Sequence, residues 1–172
     1  MNESILYTLA EVGITLAGFL GVVVVFRVSG AHTWSSTELR VLWFLIVDSF
    51  LVMFLALLPL PLALANWSPD ALWGFCSAIL GSWFIVGAIL ALRGELKDRA
   101  ARQWITIPVI TPILYIVYIV AIVMGIALWL STWDIVVPRG QAVYVLGLIT
   151  LLAFAAVEFL FFIGLMSQQG RN

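Results

Sequence analysis

The chain has 172 residues, of which 64 % are hydrophobic and only 10 % charged, with a formal net charge of −1. Water-soluble domains carry about a quarter charged residues, so a mean hydropathy of +1.17 excludes a soluble fold, which would have no way to cover this much apolar surface. The near-neutral charge leaves no basic field for nucleic acid, and a lone cysteine, Cys76, excludes an internal disulfide and any paired-cysteine metal or redox motif.

A helix crossing hydrocarbon needs about 20 predominantly apolar residues. Five stretches qualify, at 5–26, 41–64, 71–92, 105–130 and 142–166. In hydrocarbon every amide must find its bond within its own segment, and the alternation of a membrane barrel is absent, so these are predicted helices. The expected fold class is all-α: one integral membrane domain, 1–172, of five transmembrane helices.

The first span follows Met1-Asn2-Glu3-Ser4, which lacks the positive stretch of a signal peptide, so it is expected to be retained. Thr8, Glu11, Thr15 and Gly18 share one stripe of it, a polar track expected to face protein or water. Gly13, Ala17 and Gly21 form a second face with the four-residue spacing that lets helices approach closely. Both faces predict a central, doubly packed first helix.

Before the second span, Ser35 followed by Glu38 is a capping-box pattern, which starts the helix before the membrane. Asp48 lies about 12 Å past Arg40 along this helix, among Phe44, Leu45, Leu51 and Val52. Pro59 and Pro61 stand near its far end. Ser68-Pro69-Asp70 then offers a cap, a first-turn proline and an acid at the positive end of the third helix. That helix leads into 93–102, where Glu95 with Arg99 and Asp98 with Arg102 have pairing spacing; the expectation is a solvated extension that anchors topology, with Arg93, Lys97, Arg99 and Arg102 open to lipid headgroups. Pro108 and Pro112 mark the start of the fourth span. In the fifth, Glu158 lies about 13 Å before the end of its helix, in line with Gly147, Leu151, Phe154 and Leu165. Asp48 and Glu158 therefore fall at similar depth, and Glu11 in the other half of the membrane.

Seven of the eight basic residues, Arg27, Arg40, Arg93, Lys97, Arg99, Arg102 and Arg171, fall on one side of five spans, leaving only Arg139 on the other. The positive-inside rule makes that side cytoplasmic, which puts the amino terminus outside and the carboxyl terminus inside. Trp34, Trp67, Trp73, Trp104, Trp129 and Trp133 lie near span ends, as an interfacial aromatic belt requires; Trp43 and Trp83 sit deeper.

Three carboxyl groups inside spans are the candidates for chemistry. Ionisable groups there are costly and mark functional positions when water or a partner reaches them; hydrocarbon favours their neutral form, which can donate a hydrogen bond or carry a proton. If Asp48 and Glu158 meet, they can share a proton or bind a cation. The expected ion or proton pathway is Glu11, Thr15, Asp48 and Glu158. His32 is the single histidine and Lys97 the single lysine, both placed in loops on the basic side, so no haem, metal–histidine site or retinal Schiff base has its ligands. No nucleophile elbow, HExxH motif or phosphate loop is visible; no cofactor, metal or enzymatic activity is expected.

Glu11-Val-Gly-Ile-Thr-Leu-Ala-Gly-Phe-Leu-Gly21, then Trp34-Ser-Ser-Thr-Glu-Leu-Arg40, then Leu57-Leu58-Pro59, resembles the start of a group of small uncharacterised bacterial inner-membrane proteins. The resemblance covers about the first 60 residues and implies a bacterial origin and a five-helix membrane domain, with no known activity. The expected function is an oligomeric ion channel or proton-coupled or cation transport protein that uses intramembrane carboxylates, in the bacterial inner membrane. The alternative is a non-transporting module that binds lipid or a partner protein. The expected partners are membrane lipid, a second copy of the chain and an ion, either a proton or another cation.

Overall fold

A computed structural model describes residues 3–28, 34–101 and 110–169, with side chains covered at 3–25, 34–101 and 112–165. Among these residues the secondary structure is entirely helical: α1 (Glu3–Val28), α2 (Ser36–Leu57), α3 (Pro59–Leu64), α4 (Pro69–Ala100), α5 (Ile110–Thr132) and α6 (Gln141–Gln169). Five of the resulting segments are long and apolar enough to cross a membrane, α2 and α3 acting together as one crossing of 29 residues, Ser36–Leu64. The chain is therefore a multi-pass helical membrane protein. Its helices alternate in direction, so one end of the bundle carries Arg40, Arg93, Lys97 and Arg99 and the other carries Arg139; these are called the basic end and the Arg139 end.

The helix boundaries follow from local chemistry. Ser35 caps α2 with its side chain accepting from the Glu38 amide at 3.2 Å, while the Glu38 carboxylate accepts from the Ser35 amide at 2.9 Å. Ser68 caps α4 by accepting from the Ala71 amide at 3.3 Å, with Pro69 in the first turn. Pro59 has no amide to give to the carbonyl of Leu55 four residues earlier, which separates α2 from α3. The buried Tyr144 hydroxyl of α6 donates to that carbonyl at 2.6 Å, supplying the missing bond from another helix. At the Arg139 end, α3 and α5 stop in the same way. Asn66 and Asp134 take left-handed backbone, with φ of 58° and 57°, and the next amides, of Trp67 and Ile135, bond back to Leu62 and Leu130 at 3.2 and 3.0 Å. Short polar side chains adopt this conformation more readily than larger ones, though Val136 also takes it in the second turn, with φ of 62°.

The helices pack chiefly as α1 on α2, α2 on α6 and α4 on α5, and α6 touches every other long helix. The α4–α5 crossing is tight because it is lined by glycine. A Cβ added to Gly125 would lie 3.1 Å from the Gly81 carbonyl, and one added to Gly81 would lie 3.1 Å from that of Gly125. Leu80, Leu128, Tyr144 and Leu148 are fully buried beside this seam. Without a hydrophobic drive between helices in lipid, such close packing is what holds them together.

The first helix is not central. Its buried face is Leu6, Leu9, Ala10, Gly13 and Leu20, directed at α2 and in part at α6. At Gly13 the backbones nearly touch: an added Cβ would be 2.9 Å from the Ser49 carbonyl. Gly18 and Gly21, by contrast, have open space around them and Ala17 is half-buried. The helix meets neighbours on one side only, because the small-residue face is used at its Gly13 end alone.

Candidate functional site

Asp48 of α2 and Glu158 of α6 come together at one cavity between α2, α4, α5 and α6, toward the basic end. α2 is set against α6 by a shared core that includes Leu45 and Ala155, both fully buried. The cavity exists because α4 presents Gly87, Ala88 and Ala91 to it, and side chains this small leave the space between the helices unfilled. Phe44, Trp83, Phe84, Tyr118 and Phe154 supply most of the remaining wall. Its volume is about 40 Å³, and a second space of about 40 Å³ adjoins it, sharing Phe44, Ala91, Val117, Tyr118 and Glu158 and reaching Arg40 at the basic end. One water needs roughly 10–15 Å³ of this kind of space, so each compartment has room for a few.

Within the cavity the two acids differ. Asp48 is 4 % exposed, and its Oδ1 accepts the indole N–H of Trp83 at 2.8 Å. Glu158 is half-buried, yet its Oε2 is fully covered and has no hydrogen-bond partner among the described residues. A buried carboxyl oxygen without a donor is expensive, and here it borders both compartments.

At the basic end a second polar cluster adjoins the second space through Arg40. Asp98 accepts from Thr37 Oγ1 at 2.8 Å and Ser36 Oγ at 3.2 Å, and pairs with Arg40 at 2.7 Å. The carboxylate thus sits at the first turn of α2, where the helix dipole favours an anion. Arg40 reaches it by lying over Gly94, where a Cβ would come within 2.5 Å of the arginine Cδ. Glu95, 2 % exposed, accepts the Tyr115 hydroxyl at 2.5 Å and pairs with Arg99 at 2.7 Å; Arg99 also donates to the Tyr115 hydroxyl.

This corrects the expectation of a solvated extension over 93–102. Glu95 and Asp98 are buried, since the last turns of α4 dock onto the starts of α2 and α5. The Glu95–Arg99 pair forms, whereas Asp98 takes Arg40, 58 residues away in sequence; Arg102 lies outside the described residues. Arg93 and Lys97 are exposed. Arg27's side chain, His32, Trp104, Pro108 and Arg171 also lie outside the description.

The polar stripe of α1 stands apart from the cavity. Thr8, Glu11, Thr15 and Gly18 are all on the outer surface, and the two threonine hydroxyls bond back to the carbonyls of Ser4 and Glu11, at 3.0 and 2.6 Å. Threonine hydroxyls on a helix can be satisfied in this way, so this stripe needs no partner helix within the chain. Conversely, Trp83, Tyr118 and Gly94 escaped the sequence reading as site residues. A faint signal existed in Gly87 and Ala91, a small pair four residues apart on the helix that carries Trp83.

The fold and site define a helical multi-pass membrane protein with a paired-acid cavity inside a single chain. No family model matches the chain, and no curated protein or solved structure matches it either.

Proposed function

We propose that this protein is a proton-coupled cation transport protein of the bacterial inner membrane, with its basic end in the cytoplasm and its amino terminus outside. The observation that carries this reading is the meeting of Asp48 and Glu158 in one cavity that extends toward Arg40, with a covered Glu158 oxygen at the junction that has no partner among the described residues. Two carboxyl groups with no base between them hold a proton or a cation and exchange one for the other. The cavity lies within one chain, its lining stops at Ala121 and Leu151, and Leu80, Leu128 and Leu148 in the same bundle are fully buried. A dead-ended cavity fits a carrier that opens alternately to either side better than an open pore.

Oligomerisation belongs to this reading through α1. Glu11 lies on an exposed face of a helix that crosses hydrocarbon, a costly position unless another copy covers it. The orientation rests on the basic residues at one end, and the bacterial location on the sequence resemblance.

The test is flux from liposomes containing the purified protein. Proton entry that depends on an imposed cation gradient is expected, with Glu158→Gln and Asp48→Asn each lowering the rate at least tenfold while the protein stays monodisperse. Flux unchanged in both variants, or no proton or cation movement at any pH tested, removes the transport reading.

A further inference from the structure

The proposed transport reading leaves open which cation the cavity takes, and the composition of its walls answers that. Two acids are present, but no group of three or more His, Cys, Asp or Glu side chains gathers anywhere among the described residues. Hard metal cations need about six oxygen ligands, and one oxygen of Asp48 is already engaged by the Trp83 indole. The rest of the wall is rings and small apolar side chains: Phe44, Trp83, Tyr118 and Phe154 border the same space as the acids. Stripping water from sodium or magnesium here would cost more than two carboxyl groups return. A weakly hydrated organic cation has no such debt, since aromatic rings attract it electrostatically and the carboxylate neutralises it.

We propose that the cavity between Asp48 and Glu158 is a binding site for a small organic ammonium cation, which competes with the proton for the Glu158 carboxylate. Glu158 is the residue that makes contact, because its Oε2 is covered and has no partner among the described residues, and it borders both compartments. Asp48 is a positioning residue, held by Trp83. The ligand reaches the site from the basic end by way of the second compartment, past Arg40. Size is set by the space itself: two adjoining volumes of about 40 Å³ each admit a compact ammonium ion and exclude a bulky drug-like cation.

The inference rests on the transport reading for its physiological meaning, and its test separates the two. Tetramethylammonium chloride is titrated into the full-length protein in detergent, in weak buffer, with tryptophan fluorescence and released protons both recorded. Saturable binding is expected, with proton release and an affinity at least tenfold lower at pH 5.5 than at pH 8. Neopentyl alcohol, of similar size but uncharged, is expected not to bind. Glu158→Gln lowers affinity at least tenfold and abolishes proton release. Ala91→Leu, which fills space without touching a charge, also abolishes binding and serves should the acid variant fold poorly. No saturable binding to monodisperse protein overturns the inference, as does binding that survives both substitutions or displacement by equimolar sodium. Proton flux in liposomes without tetramethylammonium binding removes this inference and leaves transport standing; binding without flux keeps the site and removes transport.

Discussion

The two halves of the bundle are built on opposite principles. Toward the Arg139 end, glycine brings α4 and α5 into backbone contact, and Leu80, Leu128, Tyr144 and Leu148 fill what remains. Toward the basic end, the small residues Gly87, Ala88 and Ala91 are left unfilled, and the space is bordered by two acids and several rings. Small residues on the same helix thus do contrary things. Gly81 faces another glycine and closes a seam, whereas an added Cβ at Gly87 would meet only the Trp83 ring, at 3.8 Å. The lesson is that a small-residue position in a membrane helix means close approach or a cavity according to what stands opposite.

The sharpest way to break this comparison is to overfill the closed half. In Gly125→Leu the new side chain starts 2.8 Å from Ile85 Cγ1 and 3.1 Å from the Gly81 carbonyl, and backbone cannot move aside. The expected cost is about 3 kcal/mol or more, enough to lose the monodisperse protein on size-exclusion chromatography. Gly87→Leu, in the open half, is expected to leave folding intact and to plug the cavity. Equal tolerance of the two would end the distinction between the halves.

Next in size is the polar lid of the open half. Asp98→Ala removes the partner of Arg40 and the acceptor for Ser36 and Thr37 together. Breaking a buried ion pair costs 3–5 kcal/mol, and the side-chain exposures of 20 % for Arg40 and 9 % for Asp98 reduce the expectation to about 2 kcal/mol. Denaturant titration in detergent measures it. The double variant with Arg40→Ala should recover part of the loss, because it removes the stranded charge. Strictly additive losses would mean that the two residues act separately.

A smaller effect is expected from Tyr144→Phe in the closed half. The ring keeps its packing, but the Leu55 carbonyl, already without an amide because Pro59 lacks one, loses its donor. An unsatisfied buried acceptor costs about 1–3 kcal/mol, and lipid-embedded bonds fall near the lower figure; about 1 kcal/mol is expected by the same titration. Pro59→Ala should make Tyr144→Phe nearly neutral by restoring the helix's own donor. If it does not, the proline does not explain why Tyr144 is there.

Much of this was open to inspection in the residues themselves, and the boundary between what was and was not is physical. Hydropathy located the five crossings, and the caps at Ser35 and Ser68 formed as their spacing required, since both depend on neighbours within four residues. The Glu95–Arg99 pair is legible for the same reason. Asp98 is not: its nearest basic residue in helical register is Arg102, yet it takes Arg40 because α4 extends far enough to meet the start of α2. Equal depth for Asp48 and Glu158 could be counted along the chain, but their meeting needed the pairing of α2 with α6, and hydrophobicity all round a helix names no partner face. The polar stripe of α1 names no partner within the chain for the same reason, since a helix in lipid can satisfy its threonines internally.

The smallest effect on the isolated chain tests where the polar chemistry ends. Glu11 lies on the exposed face of α1 in the Arg139 half, away from the cavity of Asp48 and Glu158, so Glu11→Gln is expected to change unfolding free energy by less than about 0.5 kcal/mol. Its consequence should fall on association instead. An exposed acid within hydrocarbon is relieved by a second copy packed over it, and glutamine, which can both donate and accept, relieves itself equally well across such a contact. Dimer fraction in detergent, read by light scattering, should therefore persist in Glu11→Gln and fall in Glu11→Leu, while cation-driven proton flux per folded chain is retained in Glu11→Gln. Flux lost in Glu11→Gln with dimers intact would place Glu11 on the transport route after all, and the division into one polar half and one dry half would have to be redrawn to include the outer face of α1.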